Sequence, residues 1–507
     1  MQVVSADEAA LLIKNDWVVV PGGFGCCGHP EAITEAIGRR FKTHGQPRNL
    51  TLFFAAGSGD RMGRGLDHLA HPELVRRAIG GYWGFVPKLG ALATDGEIEG
   101  HNWPQGVVSQ LFRACAAGLP GILSRVGLGT FIDPQQQGGR LNERSGDSLI
   151  KRVEIDKSTY LFFPTLRVDC AIIRGTECDE DGNLSMENEI SLQDGLAQAQ
   201  AARNAGGCVI AQVQKIVPAG TLNPKQVRVP GCLIDYVVLA NIEHHHQTYA
   251  EAFNPAYVSP GKAAPSARQI SPAREIIAKR ALEELRKYPG ALINVGIGIP
   301  AEIGQVARAE GYTNYNLTIE SGQFGGVPAT GMSFGAAVHP QAVIEQSSMF
   351  DFYDGGGIDV AFLGFAQVDS YGSVNVSHFP GRTPGVGGFA NISSAAKRVV
   401  FCGTLTANGL RVEVRDGELH IEAEGRVRKF LHTLGKVSFS GQIACSYGQP
   451  ALYITERAVF ELDRNCLRLI EVAPGINIDK DIIANIESTI VVNSDVKQMS
   501  ASIFSQR

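Results

Sequence analysis

The ten cysteines include no C-x-x-C pair, the 46 Lys and Arg residues form no basic block, and no apolar run approaches a membrane span. Each absence excludes something. Without paired cysteines, zinc ribbons and a disulfide scaffold are excluded, and the adjacent Cys26-Cys27 have poor geometry for a bridge. Scattered thiols of this kind fit a reducing cytoplasm. A formal net charge of −5 with no Lys/Arg stripe excludes nucleic acid as the main partner. Apolar runs stay short of the roughly 18 residues of a transmembrane helix, so no membrane contact is expected. Asp7 and Glu8 interrupt the N-terminus before any run of signal-peptide length, which argues against secretion or a transit peptide. The triplet His244-His245-His246 has no Cys or carboxylate at ligand spacing, so a polar loop is expected there and no metal.

The remainder is ordinary globular composition, 44% hydrophobic and 19% charged over 507 residues, enough for two to four domains. Glycine is in excess: 59 residues, above a usual share of about 7%. The glycines sit in short runs such as Gly355-Gly356-Gly357, which suits tight turns and close approach of backbone to a ligand. Apolar segments at 17–20, 50–54, 208–213, 233–240, 291–295, 360–363 and 399–402 read as strands, several apolar on both faces as in a covered parallel sheet. Segments 30–41 and 272–287 read as helices opened by Pro30 and Pro272.

Two patterns recur along the chain. Val18-Val19-Val20-Pro21-Gly22-Gly23 leading to Pro30 is echoed by 292–303, where Asn294-Val295-Gly296-Ile297-Gly298-Ile299-Pro300 follows a strand. Val168-Asp169-Cys170-Ala171 leading to Asp179 and Gly182 is echoed by Ile358-Asp359-Val360-Ala361 leading to Asp369 and Gly372. The order is kept, so the expected fold is α/β: two related open α/β domains in one chain. The expected boundaries are 1–256, a Pro- and Gly-containing linker at 257–272, and 273–507. A cleft between the halves is the expected place for a site.

Two familiar motifs fail on context. Gly23-Phe24-Gly25-Cys26-Cys27-Gly28 fits G-x-G-x-x-G, but the acidic residue due about 20 positions later is missing. Gly331-Met332-Ser333-Phe334-Gly335 fits G-x-S-x-G, but no strand precedes it, and Pro340 interrupts the segment where a long helix is required. A third arrangement is more informative. Glu320 ends the apolar-alternating run 315–319 and opens onto Ser321-Gly322-Gln323-Phe324-Gly325-Gly326; downstream come Asp354-Gly355-Gly356-Gly357 and Gly385-Val386-Gly387-Gly388-Phe389. A carboxylate can serve as a covalent nucleophile, and glycine loops can aim N–H groups at an oxyanion. The same residues also permit a surface Glu in a turn.

Glu320-Ser321-Gly322-Gln323-Phe324-Gly325 resembles the E-x-G-x-x-G element of family I CoA-transferases, and 385–389 resembles their G-x-G-G-F element. The stretch 350–359, Phe-Asp-Phe-Tyr-Asp-Gly-Gly-Gly-Ile-Asp, is similar to the acetate/propionate branch. Gly22-Gly23-Phe24 through Pro30, Pro104-Gln105-Gly106, 294–300 and 454–460 extend the resemblance over nearly the whole chain. Relatives commonly carry S-E-N-G at the nucleophile; here Ile319-Glu320-Ser321-Gly322 stands, as in the propionate branch. The resemblance implies ping-pong transfer of CoA between short-chain acids, with Glu320 as nucleophile, ionised near neutral pH. It implies an oxyanion held by the Gln105 amide and the N–H groups of Gly387 and Gly388. Asn294, Gly296, Gly298, Gly385, Gly387 and Gly388 would contact the coenzyme. It implies no permanently bound cofactor, coenzyme A and acyl-CoA as substrates, and a homo-oligomer, in relatives a tetramer. Phe324, Met332, Phe352 and Tyr353 are candidates for the acyl wall. Hydrolysis of acyl-CoA by the same Glu, and non-catalytic binding of CoA or a sugar phosphate, are the alternative activities.

Overall fold

A computed structural model describes residues 1–262, 269–379 and 381–505. The part of the expected linker at 263–268 lies outside the described residues. Two sheets organise the chain. The first has eight strands, ordered Gln2–Val4, Tyr236–Leu239, Cys208–Val213, Cys170–Arg174, Val18–Pro21, Leu50–Ala56, Val75–Tyr82 and Glu99–Asn102. Every neighbouring pair in it is parallel. Leu50–Ala56 is buried at all seven positions, because helices cover both faces of a parallel sheet.

The second sheet has ten strands, and its parallel centre repeats the first. Ala451–Ile454, Val399–Cys402, Val360–Gly364, Leu292–Val295 and Asn316–Thr318 lie side by side. They follow the order of Tyr236–Leu239, Cys208–Val213, Cys170–Arg174, Val18–Pro21 and Leu50–Ala56. The repetition extends to single hydrogen bonds. Asp169 accepts from the Val18 N–H at 2.8 Å, and Asp359 from the Leu292 N–H at 2.9 Å. Gly22 donates to Ile172 O and Gly296 to Phe362 O, both at 2.8 Å. Asp179 caps its turn by accepting from the N–H groups of Asp181 and Asn183, as Asp369 does from Tyr371 and Ser373. A short Asp side chain that accepts two N–H bonds fixes such a turn.

Register then locates an asymmetry. Val18 pairs with Thr51 and Leu292 with Asn316. Four residues on from these partners come Ala55, still within its strand, and Glu320, two residues past the end of Asn316–Thr318.

Both segments expected as helices form. The first runs Glu31–His44, with Pro30 at its N-cap and Gly45 closing it at φ 64°; a left-handed residue after the last turn suits glycine. The second, Pro272–Leu285, has Pro at its first turn. The halves meet where the helix Gln105–Ala116 packs on the helix Gln346–Asp354. Gly106 permits that approach: a Cβ there would stand 2.4 Å from the Phe350 ring and 2.5 Å from the Asn391 amide. Gly331–Ser333 is a short 3-10 turn rather than a nucleophile elbow. His244 contacts Glu35 and His245 contacts Glu189.

Candidate active site

Glu320 lies at the tip of a tight hairpin between the strands Asn316–Thr318 and Gln323–Phe324. Ile319 donates to Gln323 O and Gly322 to Ile319 O, both at 2.9 Å. Gly322 has φ 112°, and a Cβ on it would fall 2.0 Å from Ile344 O, so this turn requires glycine. Ser321 is fully buried; its hydroxyl faces Gly335 O at 2.7 Å and Gln323 Oε1 at 2.5 Å. The first half grips the same turn. The Ser191 hydroxyl donates to Ser321 O, and Gln323 Nε2 donates to Ile190 O at 2.6 Å.

The glycine loop 385–389 faces Glu320 and is also held from the first half. Asn102, fully buried on the last strand of the first sheet, donates to Gly80 O at 2.9 Å and Gly81 O at 2.5 Å, and accepts from Val386 N–H at 2.9 Å. Trp83 N–H donates to Pro384 O at 2.7 Å, and Gly387 N–H donates to Gly81 O at 2.9 Å. Gly387 O in turn accepts from Gln105 N–H at 3.1 Å. Gly387 is therefore a structural tie in which both backbone polar groups are used, and it does not offer the free N–H donor expected of it. Gly388 lies directly against the carboxylate: a Cβ on it would stand 2.4 Å from Glu320 Oε2.

Gln105 and Glu320 come together as expected, across the junction of the halves. Gln105 is 2% exposed, and its Nε2 is buried without a well-formed hydrogen bond. Burial pushes the Glu320 carboxyl up from an ordinary 4.5 to about 7, with the Gln105 amide pulling it back down. Glu320 thus changes charge across neutral pH rather than staying ionised throughout that range. A buried amide donor without a full partner beside a desolvated carboxylate is poised to meet a developing oxyanion.

The cavity in front of Glu320 has a volume of about 310 Å³ and takes its wall from both halves. Phe24, Tyr82 and Phe85 come from the first half; Ile297, Phe334, Phe365, Phe379 and Phe389 come from the second. Gly296, Gly385, Gly387 and Gly388 also reach this wall. Gly296 does so with its N–H already bonded in the sheet. Gly298, at φ 92°, is not part of the wall. Asn294 lines a recess of about 40 Å³ that also touches Glu320. Its Nδ2 faces Thr318 O and the Tyr353 hydroxyl, each at 3.3 Å, and its Oδ1 is buried without a partner. The acyl-wall candidates are displaced. Phe324, Met332, Phe352 and Tyr353 are absent from the described wall, and Phe324 packs against Phe352 instead. Phe24 and Phe334 were legible in principle, as aromatics inside Gly-Phe-Gly and Ser-Phe-Gly; Tyr82, Phe85, Asn102 and Ser191 carried no local signal.

A carboxylate, an amide donor and a glycine loop meet in a cleft between two related α/β halves, an arrangement chemically suited to acyl transfer. Comparison with known proteins makes this specific. The Coenzyme A transferase family profile matches residues 3–240. Acetate CoA-transferase YdiF of Escherichia coli (strain K12) is 43% identical, over 99% of this chain and 95% of its own. Caffeate CoA-transferase of Acetobacterium woodii is 41% identical, over 99% and 97%. The crystal structure of the YdiF acyl-CoA transferase apoenzyme of Escherichia coli O157:H7 superimposes with a TM-score of 0.93 at 42% identity, covering 100% of this chain and 96% of that one. A thioester complex of the same enzyme with CoA also gives 0.93. The chain belongs to the coenzyme A transferase family and is an enzyme that transfers CoA between acyl-CoA and acids. No described helix is long and apolar enough to cross a membrane.

Proposed function

We propose that the chain exchanges CoA between short-chain acyl-CoA and acids such as acetate and propionate, with Glu320 as the covalent nucleophile. The carrying observation is the setting of that carboxylate, half-buried against Gly388 and the buried Gln105 where the halves meet. The ionised carboxylate attacks the thioester carbonyl; the C–S bond breaks, giving an acyl-glutamyl anhydride and CoA thiolate. The thiolate attacks the glutamyl carbonyl and expels the first acid, leaving a glutamyl-CoA thioester. The acceptor carboxylate then reverses both steps. The thioester's free energy is retained throughout, so no nucleoside triphosphate is needed.

Each addition places negative charge on a carbonyl oxygen. In this reading Gln105 Nε2 and the Gly388 N–H receive it, and Gly387 fixes both by its ties to Gly81 and Gln105. Asn294, Gly296, Gly298 and Gly385 are proposed to contact coenzyme or acyl group. Coenzyme A and acyl-CoA act as substrates, with no resident cofactor. The domains are proposed to run 1–256 and 273–507, joined by 257–272, in a cytoplasmic homo-oligomer. The test is exchange kinetics with propionyl-CoA and acetate. Wild type gives parallel double-reciprocal lines, and Glu320→Ala loses turnover by about 10⁴-fold or more. Full turnover by Glu320→Ala would remove Glu320 from the mechanism.

A further inference from the structure

We propose that Phe85 restricts this site to acids with an uncharged tail, by standing between the acyl cavity and the guanidinium of Arg61. The proposal rests on the CoA-transferase reading of Glu320 and deepens it.

The described wall of the 310 Å³ cavity carries one charged side chain, Glu320 itself. The rest of the wall is aromatic, aliphatic or glycine, with the amide of Gln105. An acid bearing a second carboxylate would place that charge in an apolar enclosure beside Glu320, with no cation on the wall to receive it. Burying an unpaired ion is costly, and a like charge nearby adds to the cost. A methyl or phenyl tail of the same reach meets rings, aliphatic side chains and glycine.

A cation is nevertheless close. Arg61 Cζ lies 4.6 Å from the Phe85 ring centroid. Arg61 is solvent-exposed and makes no ion pair among the described residues. Its neighbour Asp60 is occupied by the N–H groups of Met62 and Arg64. Phe85 is 1% exposed, belongs to the wall and stacks on Phe334 at 5.5 Å and 22°; Phe334 stacks in turn on Phe24 at 5.9 Å. Arg61, over the same ring, does not reach the wall. A wall ring is thus in direct contact with a cation able to hold a carboxylate, and that cation is itself outside the wall. Backbone fixes the pairing, because Arg61 N–H donates to Phe85 O at 3.1 Å. Truncating the ring keeps this backbone bond, so Arg61 stays beside the space that the ring vacates and its side chain can turn into it.

The experiment compares butyrate with succinate, which replaces the terminal methyl by a carboxylate, as acceptors from propionyl-CoA. Wild type is expected to show kcat/KM for succinate about 1,000-fold or more below that for butyrate. Phe85→Ala is expected to raise succinate at least tenfold over wild type while butyrate falls. Phe85→Leu makes the same test if the alanine variant folds poorly. Adding Arg61→Ala to either variant should abolish the gain, and Arg61→Ala alone should leave butyrate unchanged. Succinate within tenfold of butyrate in wild type overturns the proposal. So does a gain that survives loss of Arg61, or no gain in Phe85 variants that still exchange acetate. Failure of wild type to exchange propionyl-CoA with acetate overturns the Glu320 reading, and this proposal with it.

Discussion

Glu320 is held where its charged form is costly, and the cost is readable as pH dependence. With the carboxyl raised to about 7 by burial, the proposed nucleophilic role of Glu320 predicts that kcat/KM for acyl-CoA rises about tenfold per unit below pH 7 and levels off above it, because that role needs the ionised form. Gln105→Ala removes the donor that lowers this value. Two effects should appear together: a loss of roughly 100- to 1,000-fold in kcat and a shift of the acid limb to higher pH. A profile that keeps its midpoint in the variant would mean that Gln105 does not act on the Glu320 charge. Stability carries the opposite sign. The folded-state pKa lies above the ordinary 4.5, so this carboxyl favours the folded state below pH 4.5, and that contribution disappears as pH rises through 7. Glu320→Gln should therefore be more stable than wild type at pH 8, by on the order of 3 kcal/mol at most, and the difference should close at pH 4. Thermal melts at both pH values check this.

At the scale of elements, the site consists of two loops of the second half clasped by the first. The hairpin that carries Glu320 depends on Gly322. Gly322→Ala meets both a positive φ and the Ile344 carbonyl, and should lower stability by about 2 kcal/mol or more, with activity lost in step. The glycine loop depends on Asn102. Asn102→Ala leaves the Val386 N–H without its acceptor and takes one donor each from Gly80 O and Gly81 O, which keep Trp83 Nε1 and the Gly387 N–H. It should lower stability by about 1–3 kcal/mol and kcat by about 100-fold or more, with KM for acetate little changed. Asn102→Asp keeps the acceptor for Val386 and should recover part of the rate. Equal losses in both variants would show that the bond to Val386 does not position the loop. These clasps were not legible in the sequence, because each joins residues more than a hundred positions apart. The bond from Asn102 to Val386 spans 284 residues, and that from Ser191 to Ser321 spans 130. The strands and helices were legible, because apolar runs and a leading proline act locally.

For the molecule as a whole, the duplication was visible in two short echoes, Val168-Asp169 with Ile358-Asp359 and Val20-Pro21-Gly22 with Asn294-Val295-Gly296. The structure repeats them as the same strand order and the same Asp-to-backbone bonds. What sequence could not supply was register, and register places Ala55 opposite the role of Glu320. One half keeps the carboxylate, and the other keeps Gln105 and the clasps around it. That division accounts for the difference between the candidate acyl-wall residues and the lining of this cavity. Phe324, Phe352 and Tyr353 lie near Glu320 in sequence, whereas Phe24, Tyr82 and Phe85 reach it only after the halves close. It also explains why the candidate site needs both halves, since neither holds the Glu320 carboxylate and the Gln105 amide donor together.

The most direct test is the mass of the enzyme after reaction with propionyl-CoA, removal of free acid, and reduction with borohydride. A covalent glutamyl-CoA intermediate predicts that the peptide containing Glu320 alone is converted to the alcohol, with activity lost in the same proportion. An unmodified Glu320 peptide in enzyme that has turned over, or a modification at another carboxylate, would contradict the account.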